Sequence, residues 1–154
     1  MRLKQAILGL IFGLSSISTF AQTDHQAIQQ SIELFFSGMH ASDSLLIRKV
    51  TFKETTLQSV WIDPKDGEAS VRSTPFADFV KQIGTPAPNR KIEERIGAYT
   101  IHQDGPLATA WTPYTFWIND SFSHCGVNTF TLVKSPTGWK IWAIMDTRRK
   151  SDCP

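Results

Sequence analysis

The chain has 154 residues, of which 19% are charged and 41% are hydrophobic. It carries 16 Lys or Arg against 14 Asp or Glu, and two of the basic residues, Arg2 and Lys4, stand among the first four positions. Without these two the formal net charge is zero, and no long basic run remains to match the charge of a nucleic acid. We therefore expect no nucleic acid among the partners of this protein.

The first 21 residues have the three regions of an export signal. Arg2 and Lys4 form a positive start, residues 6–18 are apolar and uncharged, and residues 19–21 end in a small residue suited to cleavage. The apolar run is too short to cross a bilayer as a helix. The alternative is a buried N-terminal core helix. We predict a signal peptide over residues 1–21 and an exported protein, periplasmic or secreted.

Removing the signal leaves residues 22–154, a length that suits a single domain. Cys125 and Cys153 are the only two cysteines, so none is placed to receive a lipid after the apolar run, and we expect no membrane anchor. In an exported chain this pair predicts a disulfide, which would contribute roughly 3–4 kcal/mol on the chain-entropy model. Two free thiols are the alternative.

The mature chain begins with a pattern typical of two helices. Thr23 or Asp24 can cap the first, and Asp43 can cap a short second helix that runs to Val50. His40 lies in the joint between them and is interpreted as a solvated loop histidine. The first helix has one apolar stripe at helical spacing, formed by Ile28, Ile32, Phe35, Phe36 and Met39.

A β-hairpin and a third helix follow. Residues 55–62 and 69–72 predict two strands, joined by a turn that ends in Asp-Gly. Thr74 is the expected cap of the third helix, with Pro75 in its first turn, and Gly84 ends it.

The remainder is predicted to be β-structure. Residues 92–102 form one expected strand, with Gly97 at a bulge or a close approach of two backbones. Residues 107–118 form a long strand with a bend at Pro113 and apolar side chains on both faces. A final hairpin occupies residues 119–149.

Both faces of the long strand need cover. One layer of helices covers a single sheet face, so the other face, which carries Trp111, Thr115 and Trp117, remains open to a second subunit. We predict a homodimer through this outer face of the sheet.

The order of elements predicts an α+β fold, with a curved antiparallel sheet wrapped around N-terminal helices. Its helix–Gly–joint–Asp opening, its hairpin followed by a capped helix, and its ending H-C-G-V-N-T-F-T-L-V-K with G-W-K-I-W-A-I-M-D-T-R-R resemble the nuclear transport factor 2-like superfamily. Within it the chain is similar to the exported bacterial branch known as SnoaL-like or lumazine-binding. The resemblance extends over residues 24–150. It implies a cone-shaped half-barrel with a pocket between helices and sheet. Members include isomerases, dehydratases, small-molecule binders and interaction domains, so the resemblance leaves the function open.

The register of the last hairpin decides which side chains share its inner face. A type I turn over residues 135–138, closed as a three-residue loop, would pair Ser135 with Trp139 and Asn128 with Asp146. The predicted inner face then carries His124, Asn128, Phe130, Leu132, Trp142, Ile144, Asp146 and Arg148.

These assignments predict a pocket with an apolar wall and a polar end. The wall comprises Phe36, Trp61, Phe79, Tyr114 and Phe116. The polar end comprises His124, Asn128, Asp146 and Arg148. Such a pocket suits a small apolar or planar ligand. The histidine spacing gives no metal site, and no motif calls for a cofactor.

Three functions fit this pocket. We favour an exported, non-catalytic domain that binds a small molecule. The first alternative is a cofactor-free lyase, isomerase or hydrolase in which His124 acts as a general base oriented by Asp146. Against it, Asp146, Arg148 and Asn128 can form a purely structural network. The second alternative is a dimerisation or interaction domain without a ligand.

Overall fold

The computed structural model describes residues 23–153, and the predicted signal peptide lies outside them. Within this range the chain forms three helices and seven strands. In chain order these are α1 (Asp24–Ala41), α2 (Ser44–Val50), β1 (Thr51–Ile62), β2 (Ala69–Thr74), α3 (Phe76–Gly84), β3 (Ile92–Ile96), β4 (Thr100–Asp104), β5 (Leu107–Ile118), β6 (Ser121–Ser135) and β7 (Gly138–Thr147).

The first two helices begin at the predicted caps. Thr23 and Gln26 form a reciprocal capping box at α1, and the Asp43 carboxylate accepts the first free N–H groups of α2. The joint between them is tight because Gly38 has no side chain: an added Cβ would lie 2.8 Å from Cγ1 of Ile47. His40 belongs to the last turn of α1, which corrects its prediction as a loop residue. No helix in residues 23–153 is long and apolar enough to cross a membrane.

The third helix differs from prediction at its start. Thr74 ends strand β2, and Pro75 occupies the cap position without a side-chain hydrogen bond to the helix. The ring of Pro75 fixes its φ at the turn from strand to helix, and its carbonyl oxygen accepts the N–H groups of Asp78 and Phe79.

The sheet is curved, unclosed and mostly antiparallel, with strand order β2-β1-β7-β6-β5-β3 and β4 also paired with β5. The parallel pair β1–β7 is the exception to the predicted antiparallel sheet.

The predicted single strand over residues 92–102 is divided into β3 and β4, which pair with opposite halves of β5. Gly97 stands at the division: its N–H donates to the carbonyl oxygen of Pro113 at 2.8 Å, and an added Cβ would lie 3.3 Å from that oxygen. The predicted close approach at Gly97 is confirmed.

The core lies between α1 and the inner face of the sheet. Ile28 and Ile32 of α1 are fully buried against Leu132 and Ile141 of the last hairpin. Asp24 also ties the start of α1 to this hairpin, because its carboxylate accepts hydrogen bonds from Lys134 Nζ at 2.8 Å and Trp139 Nε1 at 3.1 Å. These bonds, with that from Lys134 the strongest, lower the pKa of Asp24 to about 2.

The last hairpin has the predicted inner pairs but a different turn. Ser135 pairs with Gly138, so the loop has two residues rather than three. The register then shifts by one residue at Trp142, a β-bulge, and beyond it Asn128 pairs with Asp146 as predicted. The bulge explains why a wrong turn led to the correct inner register. It also turns Trp142 away from the predicted inner face: the side chain is 47% exposed and packs against Phe52, with ring centroids 5.3 Å apart.

The predicted disulfide between Cys125 and Cys153 is confirmed, with Cα atoms 5.8 Å apart. It fastens the C-terminal tail over β6 on the face opposite to His124. Two backbone hydrogen bonds of 2.9 Å between Cys125 and Arg149 extend the β6–β7 ladder up to this point.

The disulfide should account for a large part of the stability. We expect Cys153→Ser to lower the free energy of unfolding by about 3 kcal/mol, because the cross-link removes freedom from the unfolded chain. Urea denaturation with and without reductant measures this, and Ser151→Ala is the control in the same tail. An unchanged midpoint on reduction would contradict the prediction.

Candidate functional site

A cavity of about 910 Å³ lies between α1, α3 and the inner face of the sheet. Its apolar wall is formed by aromatic rings from α1, α3 and β5 and by aliphatic side chains from β1 and β7, including Phe36, Phe79, Phe116, Leu57 and Ile144. The volume is in the range of small-molecule sites in proteins.

Eight of the nine residues predicted for the pocket line this cavity: Phe36, Phe79, Tyr114, Phe116, His124, Asn128, Asp146 and Arg148. Trp61 does not. It shares a face of β1 with Leu57 and Ser59, which do line the cavity, but lies nearer the end of the strand. There the guanidinium of Arg72 stands over its ring, 5.8 Å from the centroid. Trp61 therefore packs against Arg72 at the edge of the cavity and is not itself part of the wall.

The Asp146 carboxylate has three partners. It accepts hydrogen bonds from Ser59 Oγ at 2.6 Å, Arg148 Nε at 2.8 Å and the Tyr114 hydroxyl at 3.3 Å. The same hydroxyl lies 2.9 Å from the carbonyl oxygen of Thr147. These contacts satisfy the charge of Asp146 at the inner end of β7 and match a structural network.

Gly126 makes room for this network. A Cβ at position 126 would collide with the carbonyl oxygen of Thr147 and would lie 2.9 Å from the Tyr114 ring. Because glycine is present, the Tyr114 ring can pass over β6 and bring its hydroxyl to β7. Burial raises the pKa of this tyrosine well above its usual range, so its hydroxyl remains a donor.

Glu94 is the acidic residue of the cavity that the sequence interpretation missed. Its carboxylate accepts a hydrogen bond of 2.7 Å from Asn128 Nδ2, and its backbone N–H donates to His40 Nε2 at 2.9 Å. Burial of the carboxyl group raises its pKa to about 7, and the Asp146 charge adds to the rise, whereas the Asn128 bond opposes it. The period of two in β3 carried the signal, since Glu94 lies midway between the inward-facing Ile92 and Ile96.

His124 is held by aromatic rings. Its ring stacks on Phe116 with centroids 4.9 Å apart and meets the Tyr114 ring edge-on at 5.8 Å. Burial, with a further contribution from the Arg148 charge, lowers its pKa, which favours the neutral imidazole. Nδ1 lies 3.0 Å from Ser123 Oγ. No hydrogen bond joins His124 to Asp146 within residues 23–153, so the predicted orientation of the ring by Asp146 is absent from this arrangement.

His40 is a second histidine at this end of the cavity, contributed by the last turn of α1. Its Nε2 accepts the backbone N–H of Glu94, which requires that nitrogen to be unprotonated. Burial of the ring lowers its pKa, in agreement with a neutral imidazole. The bond fastens α1 to β3 beside the buried carboxyl group.

The cavity thus has a polar end assembled from four strands. Glu94 comes from β3, Tyr114 from β5, Asn128 from β6 and Asp146 from β7. Each polar group is held by a neighbour, so the site is formed before any ligand arrives. Such a site can exchange hydrogen bonds with a polar group of a ligand whose apolar body lies on the wall.

No protein-family model and no curated protein matches the sequence. Many solved structures share its shape. An NTF2-like protein of unknown function from Shewanella baltica is 18% identical, with a TM-score of 0.57, over 83% of this chain and 95% of that chain. A candidate dehydratase of the NTF2-like family from Streptomyces avermitilis is 13% identical, with a TM-score of 0.60, over 83% and 97%.

A third similar structure is the beta subunit of a candidate aromatic-ring-hydroxylating dioxygenase from Novosphingobium aromaticivorans. It is 14% identical, with a TM-score of 0.64, over 80% of this chain and 88% of that chain. The chain thus has the nuclear transport factor 2-like fold, an α+β cone around an internal cavity. The resemblance seen in the sequence is confirmed at the level of the fold.

The raised pKa of Glu94 predicts a pH dependence of stability. Between pH 4.5 and about 7 the folded chain retains a proton on Glu94 that the unfolded chain releases. The free energy of unfolding is therefore not reduced by Glu94 below the ordinary glutamate pKa. It falls by on the order of 3 kcal/mol as the pH rises through that window.

Urea unfolding across this pH range tests the assignment. The wild type should lose more stability with rising pH than Glu94→Gln, in which the titrating group is absent. Glu54→Gln, on an exposed residue of β1, is the matched control. Parallel pH curves for the wild type and Glu94→Gln would contradict the assignment.

Proposed function

We propose that this chain is an exported domain that binds a small molecule with an apolar or planar body in its cavity. The observation that carries the proposal is the open cavity of about 910 Å³ with an apolar wall and a polar end. Protein interiors are normally close-packed. A domain that served only to associate with another protein would have no use for this space, so the cavity favours a ligand-binding function.

The wall favours a flat ligand. The Phe79 ring lies nearly parallel to Phe35 with centroids 5.8 Å apart, and Phe116 lies against His124. These contacts fix the ring planes, and offset stacking of a planar ligand on fixed rings would add to the free energy of apolar burial.

Binding without catalysis is favoured by the state of the polar groups. Asp146 is already neutralised by Arg148, and His124 has no carboxylate hydrogen-bonded to its ring within the described part of the chain. A group that activates a substrate needs a free proton acceptor at the reacting atom. His124 can accept a proton as a neutral imidazole, but within the described residues no carboxylate is bonded to its ring to stabilise the resulting cation, so the predicted pair with Asp146 is not formed.

A second candidate function is acid–base catalysis of a lyase, isomerase or hydrolase type without a cofactor. Its support is Glu94, a buried carboxyl group in the cavity whose pKa of about 7 suits proton transfer at neutral pH. In this function Glu94, rather than His124 with Asp146, would exchange the proton.

Export rests on two observations. The pattern of residues 1–21 is that of a signal peptide. The Cys125–Cys153 disulfide suits an oxidising compartment such as the periplasm or the extracellular space.

We also propose that two copies of the chain associate through the outer sheet face. Trp111, Thr129 and Met145 form a row across β5, β6 and β7, and the neighbouring row is Thr109, Thr131 and Ala143. None of these six residues is charged. Trp111 is 51% exposed and Met145 38% exposed. An uncharged surface of this kind can face a copy of itself without like-charge repulsion, which favours a symmetric dimer.

Light scattering tests the dimer. We expect the chain without residues 1–21 to have twice the chain mass at micromolar concentration, and Trp111→Glu to be monomeric, because it would bury an unpaired charge in the interface. Leu45→Glu, at a residue of α2 that is 77% exposed, is the control and should leave the mass unchanged. A monomer mass for the wild type would overturn the dimer.

Ligand binding is tested by native mass spectrometry and thermal shift with a broad set of metabolites. A true ligand at about a hundredfold excess over its Kd should raise the melting temperature by about 5–10 °C. Ile144→Trp, which fills the cavity, should abolish the shift. Ile62→Trp, at an exposed residue outside the cavity, should preserve it.

The binding proposal would be overturned if no compound bound, or if Ile144→Trp, shown to be folded by its own unfolding transition, bound as well as the wild type.

A further inference from the structure

Charge is distributed unevenly around the cavity. Residues 23–153 carry 14 Lys or Arg and 14 Asp or Glu. Six of these cations line the cavity, but only two of the carboxylates, Glu94 and Asp146, do so. The rest of the described chain therefore has eight cations and twelve carboxylates. The lining of the cavity therefore carries an excess of positive charge in a domain that is neutral as a whole. The six cations are Arg72, Arg90, Lys91, Arg148, Arg149 and Lys150.

These six cations of the cavity lining, here named the cationic rim, come from three parts of the chain. Arg72 belongs to β2, residues 90 and 91 precede β3, and residues 148–150 follow β7. Hydrogen bonds hold this end of the sheet together. The backbone N–H of Lys91 donates to Asn119 Oδ1 at 2.8 Å, and Arg149 pairs with Cys125 through backbone hydrogen bonds. The disulfide to Cys153 fastens the tail that carries the last cations.

Part of the rim is already paired within the protein. Arg148 binds Asp146 at 2.8 Å and Lys91 binds Asp120 at 2.9 Å. The side chains of Arg90 and Lys150, by contrast, make no hydrogen bond or ion pair with any residue from 23 to 153. Both are exposed at the opening. Two cations are thus available to a ligand.

The two cavity carboxylates do not cancel this field. Arg148 pairs with Asp146 and offsets its charge, and two hydroxyl groups donate hydrogen bonds to the same carboxylate. Glu94 lies deeper, bonded to Asn128, and its raised pKa leaves it protonated in part at neutral pH. The opening therefore presents a net positive charge above an apolar wall.

We infer that the cavity selects an organic anion, with a planar apolar body against Phe36 and Phe116 and its carboxylate or phosphate group at the cationic rim. The inference rests on the proposed binding function and specifies the class of ligand. Arginine and lysine at a partly enclosed opening bind an anionic group by charge-assisted hydrogen bonds, and the excess positive charge raises the local concentration of anions.

The protonation of Glu94 should respond to an anion in the cavity. An anion brought into the cavity makes ionisation of the nearby carboxyl group less favourable. Binding near pH 7 should then be accompanied by uptake of protons, and this uptake should be absent from whatever binding remains in Glu94→Gln.

Three matched probes test the inference: naphthoate, its neutral amide naphthamide, and the cation naphthylmethylamine. Calorimetry at pH 7 and about 20 mM salt should show naphthoate binding about tenfold more tightly than naphthamide, with the amine weakest. The advantage of naphthoate should shrink at about 300 mM salt, where exposed charges are screened. Calorimetry in buffers of different ionisation enthalpy reports the proton uptake.

Substitutions of Arg90 and Lys150 test whether these two cations bind the anionic group. Arg90→Gln and Lys150→Gln should each weaken naphthoate binding about threefold and leave naphthamide unchanged. Lys65→Gln, at an exposed lysine outside the cavity, should change neither affinity.

Naphthamide binding as tightly as naphthoate would overturn the anion inference and leave the binding function in place. Equal losses for both probes in Arg90→Gln and Lys150→Gln would also overturn it. If none of the three probes bound, the anion inference would fail, and the binding function would fail with it only if no compound of the metabolite set bound either.

Discussion

The pairing of Asn128 with Asp146 across β6 and β7 is the constraint on which the cavity depends. A shift of one residue would turn every side chain of β7 to the other face, and the polar end would be lost. The bulge at Trp142 sets this register from the turn side. At the other end, Gly126 allows the Tyr114 ring to pass over β6, and the ladder continues to the Cys125 disulfide. The hairpin is therefore both the centre of the sheet and the support of the site.

The polar end illustrates how a folded chain keeps acidic groups inside a cavity. Asp146 is fixed in place because Arg148, Ser59 and Tyr114 donate hydrogen bonds to its carboxylate. Glu94 has one side-chain donor, Asn128, and the electrostatic cost of burial appears as a pKa of about 7. One carboxylate is thereby a fixed structural group, whereas the other can change its protonation state when a ligand arrives. The proposed binding of an organic anion would use this division, because only Glu94 is placed to change its protonation state.

Sequence patterns predicted the helices, the hairpins, the disulfide and the inner register, because these follow from caps, periodicity and cysteine count. Trp142 shows a limit: bulges depend on packing against neighbouring strands, which local sequence does not encode. Trp61 has the correct face but lies too far along β1, a matter of tertiary placement. Glu94 was within reach, since the alternation in β3 places it beside Ile92 and Ile96. Its hydrogen bond to Asn128, 34 residues away, could not be predicted, because it depends on the topology of the sheet.

The most direct test of the account is a crystal structure of the chain without residues 1–21, grown with a compound that binds in the thermal-shift assay. The compound should lie inside the cavity, with its apolar body against Phe36 and Phe116 and its polar group toward Arg148 and the cationic rim. A compound bound on the outer sheet face, or a cavity closed by its own side chains, would contradict it.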